Sequence, residues 1–350
     1  MTISRRCSAV ALATLLAACG GGTGPGAVAT ESVSPAEVHA LLSQLADDSM
    51  AGRRVGEPGA LRAAMLIERE MRRLGLEPAG DSGFYQRVPM YWGVRPDGQR
   101  RRMLATGFDA LDSIPLERRI WAANLVGRMP GSDPSLAGEH ILIDAHYDHV
   151  GIGPVVAGDS VYNGADDDAS GVVATLKTAE ILARGPRPRR TIYFAAMTAE
   201  ESGLLGARWF VDHPPRPLVE MVANLEIEMI GRPDSLAGGF GKAWLTGYER
   251  STMGDLLAAQ GIPLVADPRP TQNFFQRSDN YQLALRGVVA HTLSSFNLHA
   301  DYHRPSDETE KVDAAHMTEV IRATARATRL LADGVKPEWK PGGKPERVAR

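Results

Sequence analysis

Apolar residues recur at helical spacing near the start of the chain, at Val38, Leu41, Leu42 and Leu45. That interval of three and four puts side chains on one helix face. Ser34-Pro35 just ahead of them reads as an N-cap with proline at the first helical position. A second helix is expected from about Pro58 to Leu74, with Gly75 as its stop. Between Glu77 and Ser113 the periodicity fades while Gly, Pro and Arg accumulate, so loops and edge strands are expected there. From Asn124 the pattern turns regular. Strands over 141–143, 191–197 and 222–230 alternate with helices over 171–182 and 204–211, and a last helix covers 314–332. Such alternation buries a sheet between helical layers and favours parallel pairing. The prediction is an α/β fold, a three-layer sandwich around a mixed, mostly parallel central sheet.

Composition narrows the picture only slightly. With 350 residues, 43% of them apolar, the chain can bury a large core, and a net charge of -3 gives no nucleic-acid footprint. Basic pairs such as Arg53-Arg54, Arg72-Arg73 and Arg189-Arg190 are expected on the solvated surface. Cys7 and Cys19 are the two cysteines, so a disulfide framework for the folded part is excluded. Arg5 and Arg6 precede an apolar run over 9–18 that is too short to span a bilayer permanently. Leu16-Ala17-Ala18-Cys19 resembles the lipobox of bacterial lipoproteins. The resemblance implies cleavage before Cys19 and acylation of that cysteine. The protein would then sit on the periplasmic side of a bacterial membrane, with Gly20 favouring the outer one. A plain secretory signal is the alternative. The expected organisation is a signal peptide over 1–18, a flexible Gly-rich tether over 19–33, a folded domain over 34–335 and a disordered tail over 336–350.

Four groups of residues carry candidate chemistry, each at a strand end or in the loop that follows, where open α/β sheets bind ligands. His146-Tyr147-Asp148 ends the first strong strand. Extended geometry would turn His146 and Asp148 to one side, letting the carboxylate fix the imidazole. Asp166, Asp167 and Asp168 open an apolar helix. Two like charges about 5 Å apart cost about 3 kcal/mol at an effective dielectric of 20, so three acids there call for a cation. Helix-dipole decoration would need only one. Glu200-Glu201 follows the 191–197 strand, where one acid can hold metal while its neighbour moves protons. Glu226 and Glu228 lie on the otherwise apolar 222–230 strand and share a face, which leaves open whether one or both turn to the site. His299 and His303 stand downstream of them. Carboxylates and imidazoles without thiolates suit zinc in a hydrolytic site, with manganese and cobalt as the other candidates.

Read in order, these segments are His-Tyr-Asp at 146–148, Gly-Ala-Asp-Asp-Asp-Ala-Ser-Gly at 164–171 and Ala-Glu-Glu-Ser-Gly-Leu-Leu-Gly at 199–206. Met229-Ile230-Gly231-Arg232 and Tyr302-His303-Arg304-Pro305-Ser306-Asp307 follow, and Met50-Ala51-Gly52-Arg53 precedes them all. The series resembles the dinuclear zinc aminopeptidase family, which also includes glutamate carboxypeptidase and glutaminyl cyclase. The resemblance implies the zinc-exopeptidase fold and two zinc ions acting on peptide substrates. By the same resemblance His146 and Glu228 hold one zinc, Glu201 and His303 hold the other, and Asp167 bridges both. Asp148 orients His146, Glu200 is the general base, and the Asp167–Asp168 peptide bond is cis. The family usually has Asp-Met where this chain has Glu228-Met229. Carboxypeptidase or glutaminyl-cyclase-like chemistry is the alternative within the fold. A non-catalytic binding domain is the alternative outside enzymes, and retention of every ligand position counts against it.

Overall fold

The computed structural model describes residues 33–95 and 97–346. Its helices are α1 (Pro35–Leu45), α2 (Pro58–Arg73), α3 (Gly171–Ala183), α4 (Leu205–Asp212), α5 (Met253–Ala259), α6 (Asn280–Leu285) and α7 (Ala314–Asp333). Its strands begin with β1 (Glu77–Pro78), β2 (Tyr85–Arg87), β3 (Met90–Val94), β4 (Arg100–Leu104), β5 (Arg119–Ile120), β6 (Ala123–Met129) and β7 (His140–His146). They continue with β8 (Gly151–Val156), β9 (Asp159–Tyr162), β10 (Thr191–Met197), β11 (Met221–Ile227), β12 (Ala243–Leu245), β13 (Leu264–Ala266) and β14 (Ala290–Ser294).

Local signals set the helix ends. Ser34 Oγ accepts from Glu37 N–H at 3.3 Å while the Glu37 carboxylate accepts from Ser34 N–H at 2.8 Å, a reciprocal cap that starts α1. Gly75, at φ 71°, stops α2 as expected.

The central sheet runs β1-β6-β10-β7-β11-β14-β12-β13, with β2 beside β6. Strands β10, β7, β11 and β14 pair in parallel, while β6 and β12 run antiparallel to their neighbours β10 and β14. Strand periodicity of two divides the side chains between two cores. Ile141, Ile143, Ile192 and Phe194 face a core shared with α1, α2, α3, α5 and α7. Leu142, Tyr193 and Ala195 face the other, with Phe210 of α4 and Leu283 of α6. The architecture is therefore the expected three-layer sandwich with a mixed sheet.

Topology decides where ligands can bind. The chain leaves β7, crosses one face through α3 to β10, then crosses the other face through α4 to β11 on the far side of β7. Successive crossovers on opposite faces open a crevice beyond the carboxyl ends of β10, β7 and β11.

The signal peptide, lipobox and nearly all of the tether lie outside the described residues. The tail expected to be disordered from Lys336 is instead packed as far as Gly343. Trp339 Nε1 donates to Gly287 carbonyl at 3.0 Å, its ring lies against Phe275 and His291, and Lys340 N–H donates to Arg250 carbonyl at 2.9 Å. One half-buried aromatic anchors a segment whose polar composition hides it. Among the described residues no helix is long and apolar enough to cross a membrane.

Candidate metal centre

The four groups singled out in the sequence converge at the crevice. Strand β7 ends at His146, with Asp148 and His149 in the loop beyond. Strand β10 ends at Met197, three residues before Glu200. Strand β11 ends at Ile227, earlier than the expected 230, so Glu228 stands just past the sheet. The early end has a physical cause. Backbone N–H groups of Met229, Ile230 and Gly231 donate to Asp168 Oδ1 (3.0 Å), Ser170 Oγ (3.0 Å) and Asp166 Oδ1 (2.7 Å), leaving the ladder for the acidic loop.

That arrangement gives the three aspartates separate roles. Asp166 and Asp168 are buried and accept backbone N–H groups, with Asp166 Oδ2 also 2.9 Å from His299 Nε2. His299 is thereby held outside the cluster. Asp167 alone turns inward, across a peptide bond to Asp168 that is cis, as expected.

Asp167 shows one oxygen to each of two groups. Oδ1 lies 3.4 Å from His146 Nε2, which is 4.0 Å from Glu228 Oε1. Oδ2 lies 3.1 Å from His303 Nε2 and 3.7 Å from His149 Nδ1. Glu201 Oε1 completes the second group, 3.0 Å from His303 Nε2 and 2.9 Å from His149 Nδ1. His149 is absent from the sequence expectation, although it follows Asp148 directly.

These contacts are short, yet the atoms do not hydrogen-bond one another. His146 Nε2, His149 Nδ1, Asp167 Oδ2, Glu201 Oε1 and His303 Nε2 are all buried without a hydrogen-bond partner. Donors that approach closely but aim at a common point suit a cation rather than each other. A tetrahedron of zinc bonds of about 2.0–2.1 Å has edges of about 3.3 Å. Four edges of the His149, Asp167, Glu201 and His303 group, the nitrogen–oxygen ones, run from 2.9 to 3.7 Å and fit it. The smaller group of His146, Asp167 and Glu228 leaves room for a further ligand.

Electrostatics agree. Burial draws His303 down, but Asp167 and Glu201 outweigh it and lift its pKa to about 10. Burial, then Glu226, pushes Glu228 up to about 8. Both groups stand in the crowd of carboxylates and imidazoles around Asp167, which contributes to each shift. Glu200 is half-buried at the cavity wall, and its carboxyl is pushed well above the usual range, chiefly by partial loss of solvent.

Supporting residues depart from expectation in three places. Asp148 holds His146 through its backbone carbonyl, 3.0 Å from Nδ1, and not through its carboxylate. Strand geometry stops at His146, so the expected same-side relation fails, and Asp148 Oδ1 instead accepts from Glu200 N–H at 3.0 Å. Glu226 sits within β11, where it accepts from Asp279 N–H (3.1 Å), Asn280 N–H (2.9 Å) and Thr292 Oγ1 (2.8 Å), and it takes no place in the cluster. Arg53, expected on the surface, is fully buried. Its guanidinium donates to the carbonyls of Leu45 (2.9 Å), Tyr147 (2.9 Å) and Gly164 (2.9 Å), and also to that of Asn163. Backbone strain gathers here too. Ala199, Met229 and His303 adopt φ of 58°, 50° and 52°, each at or beside a cluster residue, and such conformations persist only where their surroundings impose them.

A cavity beside the centre is walled by Glu200, Glu228, Trp244, Phe274, Phe296 and Tyr302. Phe275, the neighbour of Phe274, packs away from this wall against Tyr281 and His291.

The model of peptidase family M28 matches residues 124–328, more than half of the chain. The chain belongs to peptidase family M28. It is thus a member of a zinc metallopeptidase family. Among curated M28-like relatives, a vacuolar membrane protease of Lachancea thermotolerans is 40% identical over 121 residues, 34% of this chain and 11% of that protein. A probable zinc metalloprotease of Pyrenophora tritici-repentis is 37% identical over 120 residues, 33% of this chain and 26% of that protein. The match thus spans a tenth to a quarter of these relatives. Among solved structures, a zinc aminopeptidase from Bacillus subtilis superposes with a TM-score of 0.62 at 14% identity, covering 86% of this chain and 96% of that one. An aminopeptidase from an Aneurinibacillus strain gives 0.62 at 15% identity, covering 91% and 98%. At these identities the likeness shows the fold alone.

Proposed function

We propose that this M28 protein is a zinc-dependent exopeptidase, an aminopeptidase that removes N-terminal residues with two zinc ions. The observation that carries the reading is Asp167, whose Oδ1 faces His146 and Glu228 while its Oδ2 faces Glu201, His303 and His149. One zinc would be held by His146, Glu228 and Asp167. The other would be held by Glu201, His303, Asp167 and, as an addition to the set expected from sequence, His149. Four protein donors close the second position, while three leave the first open, as reactive sites require.

Bound zinc would polarise the scissile carbonyl and make a water acidic near neutral pH. The protein's own groups do the rest. Glu200, whose carboxyl is already pushed towards holding a proton, takes one from the attacking water and passes it to the leaving amine. Asp148 fixes the Glu200 backbone, and its carbonyl keeps the His146 Nε2 turned to the centre. Carboxyl oxygens of Glu228 and Glu200 line the aromatic cavity, where they can accept hydrogen bonds from a free α-ammonium that a blocked terminus cannot supply.

Arg277 also lines this cavity and supports a second reading, cleavage from the carboxyl end with the guanidinium holding the terminal carboxylate. Hydrolysis of free-amine, N-blocked and C-amidated peptides, with zinc measured in parallel, separates the two. Loss of activity on N-blocking alone is the aminopeptidase result. Loss on C-amidation alone would overturn it.

The same proposal keeps a lipid anchor on Cys19, a tether over 19–33 and one peptidase domain, with its end moved from the expected 335 to about 343. Cys19→Ser should release the protein from membranes. Unchanged fractionation would leave only the plain secretory signal.

A further inference from the structure

A second groove opens on the other side of Glu201. One wall is the β3–β4 hairpin, and the other is the turn from Ser202 to Leu205 with Arg208 beyond it. Its rim carries the guanidinium groups of Arg95, Arg100, Arg101, Arg102 and Arg208, and Glu201 is the one carboxylate among its lining residues. Glu201 also lines the aromatic cavity, so the two depressions meet at the candidate metal centre.

These positive charges are poorly compensated. Among the described residues, Arg95, Arg100, Arg101 and Arg208 have no carboxylate within salt-bridge distance, and Arg102 reaches only Glu57, at 3.7 Å. Burial and neighbouring Arg54 both push Arg102 below its ordinary pKa, as expected where like charges crowd. The groove's floor is fixed. Trp92 carbonyl accepts from Arg118 Nε (2.9 Å) and Nη2 (2.7 Å), and Arg102 Nε donates to Val55 carbonyl (2.9 Å). Arg100 and Arg102 lie over the Trp92 ring at 5.0 and 4.5 Å. The chain carries a net charge of -3, so this concentration of arginine is local and not an average property.

We infer that this groove receives the leaving-group side of the substrate and selects peptides with acidic residues just beyond the scissile bond. The inference rests on the aminopeptidase reading. With the terminal residue in the aromatic cavity and its carbonyl at the centre, the rest of the peptide has to leave past Glu201. Side-chain carboxylates there meet planar donors in bidentate geometry. An anionic membrane surface would also be attracted by arginine, but it has no reason to engage a groove whose inner end is the metal centre.

The test uses the zinc-loaded protein and C-amidated peptides that share the best-cleaved N-terminal residue, followed by Asp-Glu, Ala-Ala or Lys-Lys. The acidic peptide should exceed the neutral one by about tenfold in kcat/KM, the worth of a few exposed ion pairs. The gain should lie mainly in KM and fade with added salt. The variant Arg100→Glu with Arg101→Glu should reverse the order, its zinc content and melting temperature showing that it is folded and loaded. Equal rates on all three peptides, or a preference that survives the double reversal, would overturn the inference. So would unchanged peptide kinetics with lost binding to phosphatidylglycerol vesicles, which would make the groove a membrane face. An aminoacyl anilide carries no residue into the groove. If the wild type fails to cleave even that, the aminopeptidase reading fails first and this inference falls with it.

Discussion

Arg53 Nε donates to the Tyr147 carbonyl at 2.9 Å, joining the Met50–Arg53 segment to the loop that carries His146 and His149. The same guanidinium reaches the carbonyls of Asn163 and Gly164, just ahead of Asp167. One buried cation therefore ties together the two loops that supply three of the candidate ligands. Its charge is offset by Asp167, Asp168, Asp307 and Asp148, all of which favour its protonated form against the effect of burial.

Replacing Arg53 by Met should accordingly destabilise the fold by about 3–5 kcal/mol, since it leaves buried carbonyls and acids uncompensated. Urea denaturation measures this directly. Zinc affinity should fall with it, because both loops lose their common anchor. A variant with wild-type stability would make Arg53 incidental.

His149→Ala should weaken the hold on one zinc without removing the other. In chelator competition one equivalent should be lost about 10- to 100-fold more readily, the usual scale for disturbing a metal site's supporting groups. A crystal structure of the zinc-loaded wild type gives an independent reading, with His149 Nδ1 at a bonding distance of about 2.1 Å. Two zincs of unchanged affinity in the variant would place His149 outside the ligand set.

Glu200→Gln should retain both zincs and lose about 10²- to 10⁴-fold in rate, the range of a positioned general base. Its amide keeps the shape of the carboxyl and its backbone keeps the Asp148 bond. Rates near those of the wild type would assign the proton to another group.

Much of this site was legible because its signals repeat at successive strand ends. Strand, helix, acid and imidazole patterns are local, and His146, Asp167, Glu201, Glu228 and His303 follow from them together with their resemblance to known motifs. What escaped depends on where regular geometry stops. Asp148 looked able to face His146 only if the strand continued, and it does not. His149 was given no role, and it lies past the end of β7, where strand alternation assigns no direction. Arg53 lies in a tight turn at φ 49°, where no periodicity reports burial. Trp339 was a single aromatic residue in a polar tail.

Stability should also depend on pH through a histidine remote from the metal. His291 is buried on β14, with Nδ1 2.7 Å from Thr246 carbonyl and Nε2 2.7 Å from Ser251 Oγ. Both neighbours are served by a neutral ring, and burial lowers its pKa to about 4 from an ordinary 6.5. As pH falls between those values the unfolded chain takes up a proton that the folded chain refuses. Stability is therefore full above about 6.5 and declines towards 4. Denaturation of metal-free protein across this window should show the decline, and His291→Gln should flatten it. An equally steep slope in the variant would move the effect to other groups.

The last prediction separates the two acids of the fourth group. Glu228 stands beyond the end of β11, 4.0 Å from His146 through its Oε1, whereas Glu226 is spent on Asp279, Asn280 and Thr292. Glu228→Ala should lose the zinc on the His146 side, because His146 and the shared Asp167 would be its remaining protein ligands. Glu228→Asp restores the residue usual in the family but on a backbone shaped for a longer side chain. It should keep measurable zinc while a displacement of about 1 Å costs about 100-fold in rate. Glu226→Gln should keep both zincs and lose stability, since it weakens a carboxylate that accepts from two backbone N–H groups in the core. Zinc stoichiometry of the three variants decides the matter. If Glu226→Gln loses a zinc and Glu228→Ala keeps both, the two acids have been assigned in the wrong order.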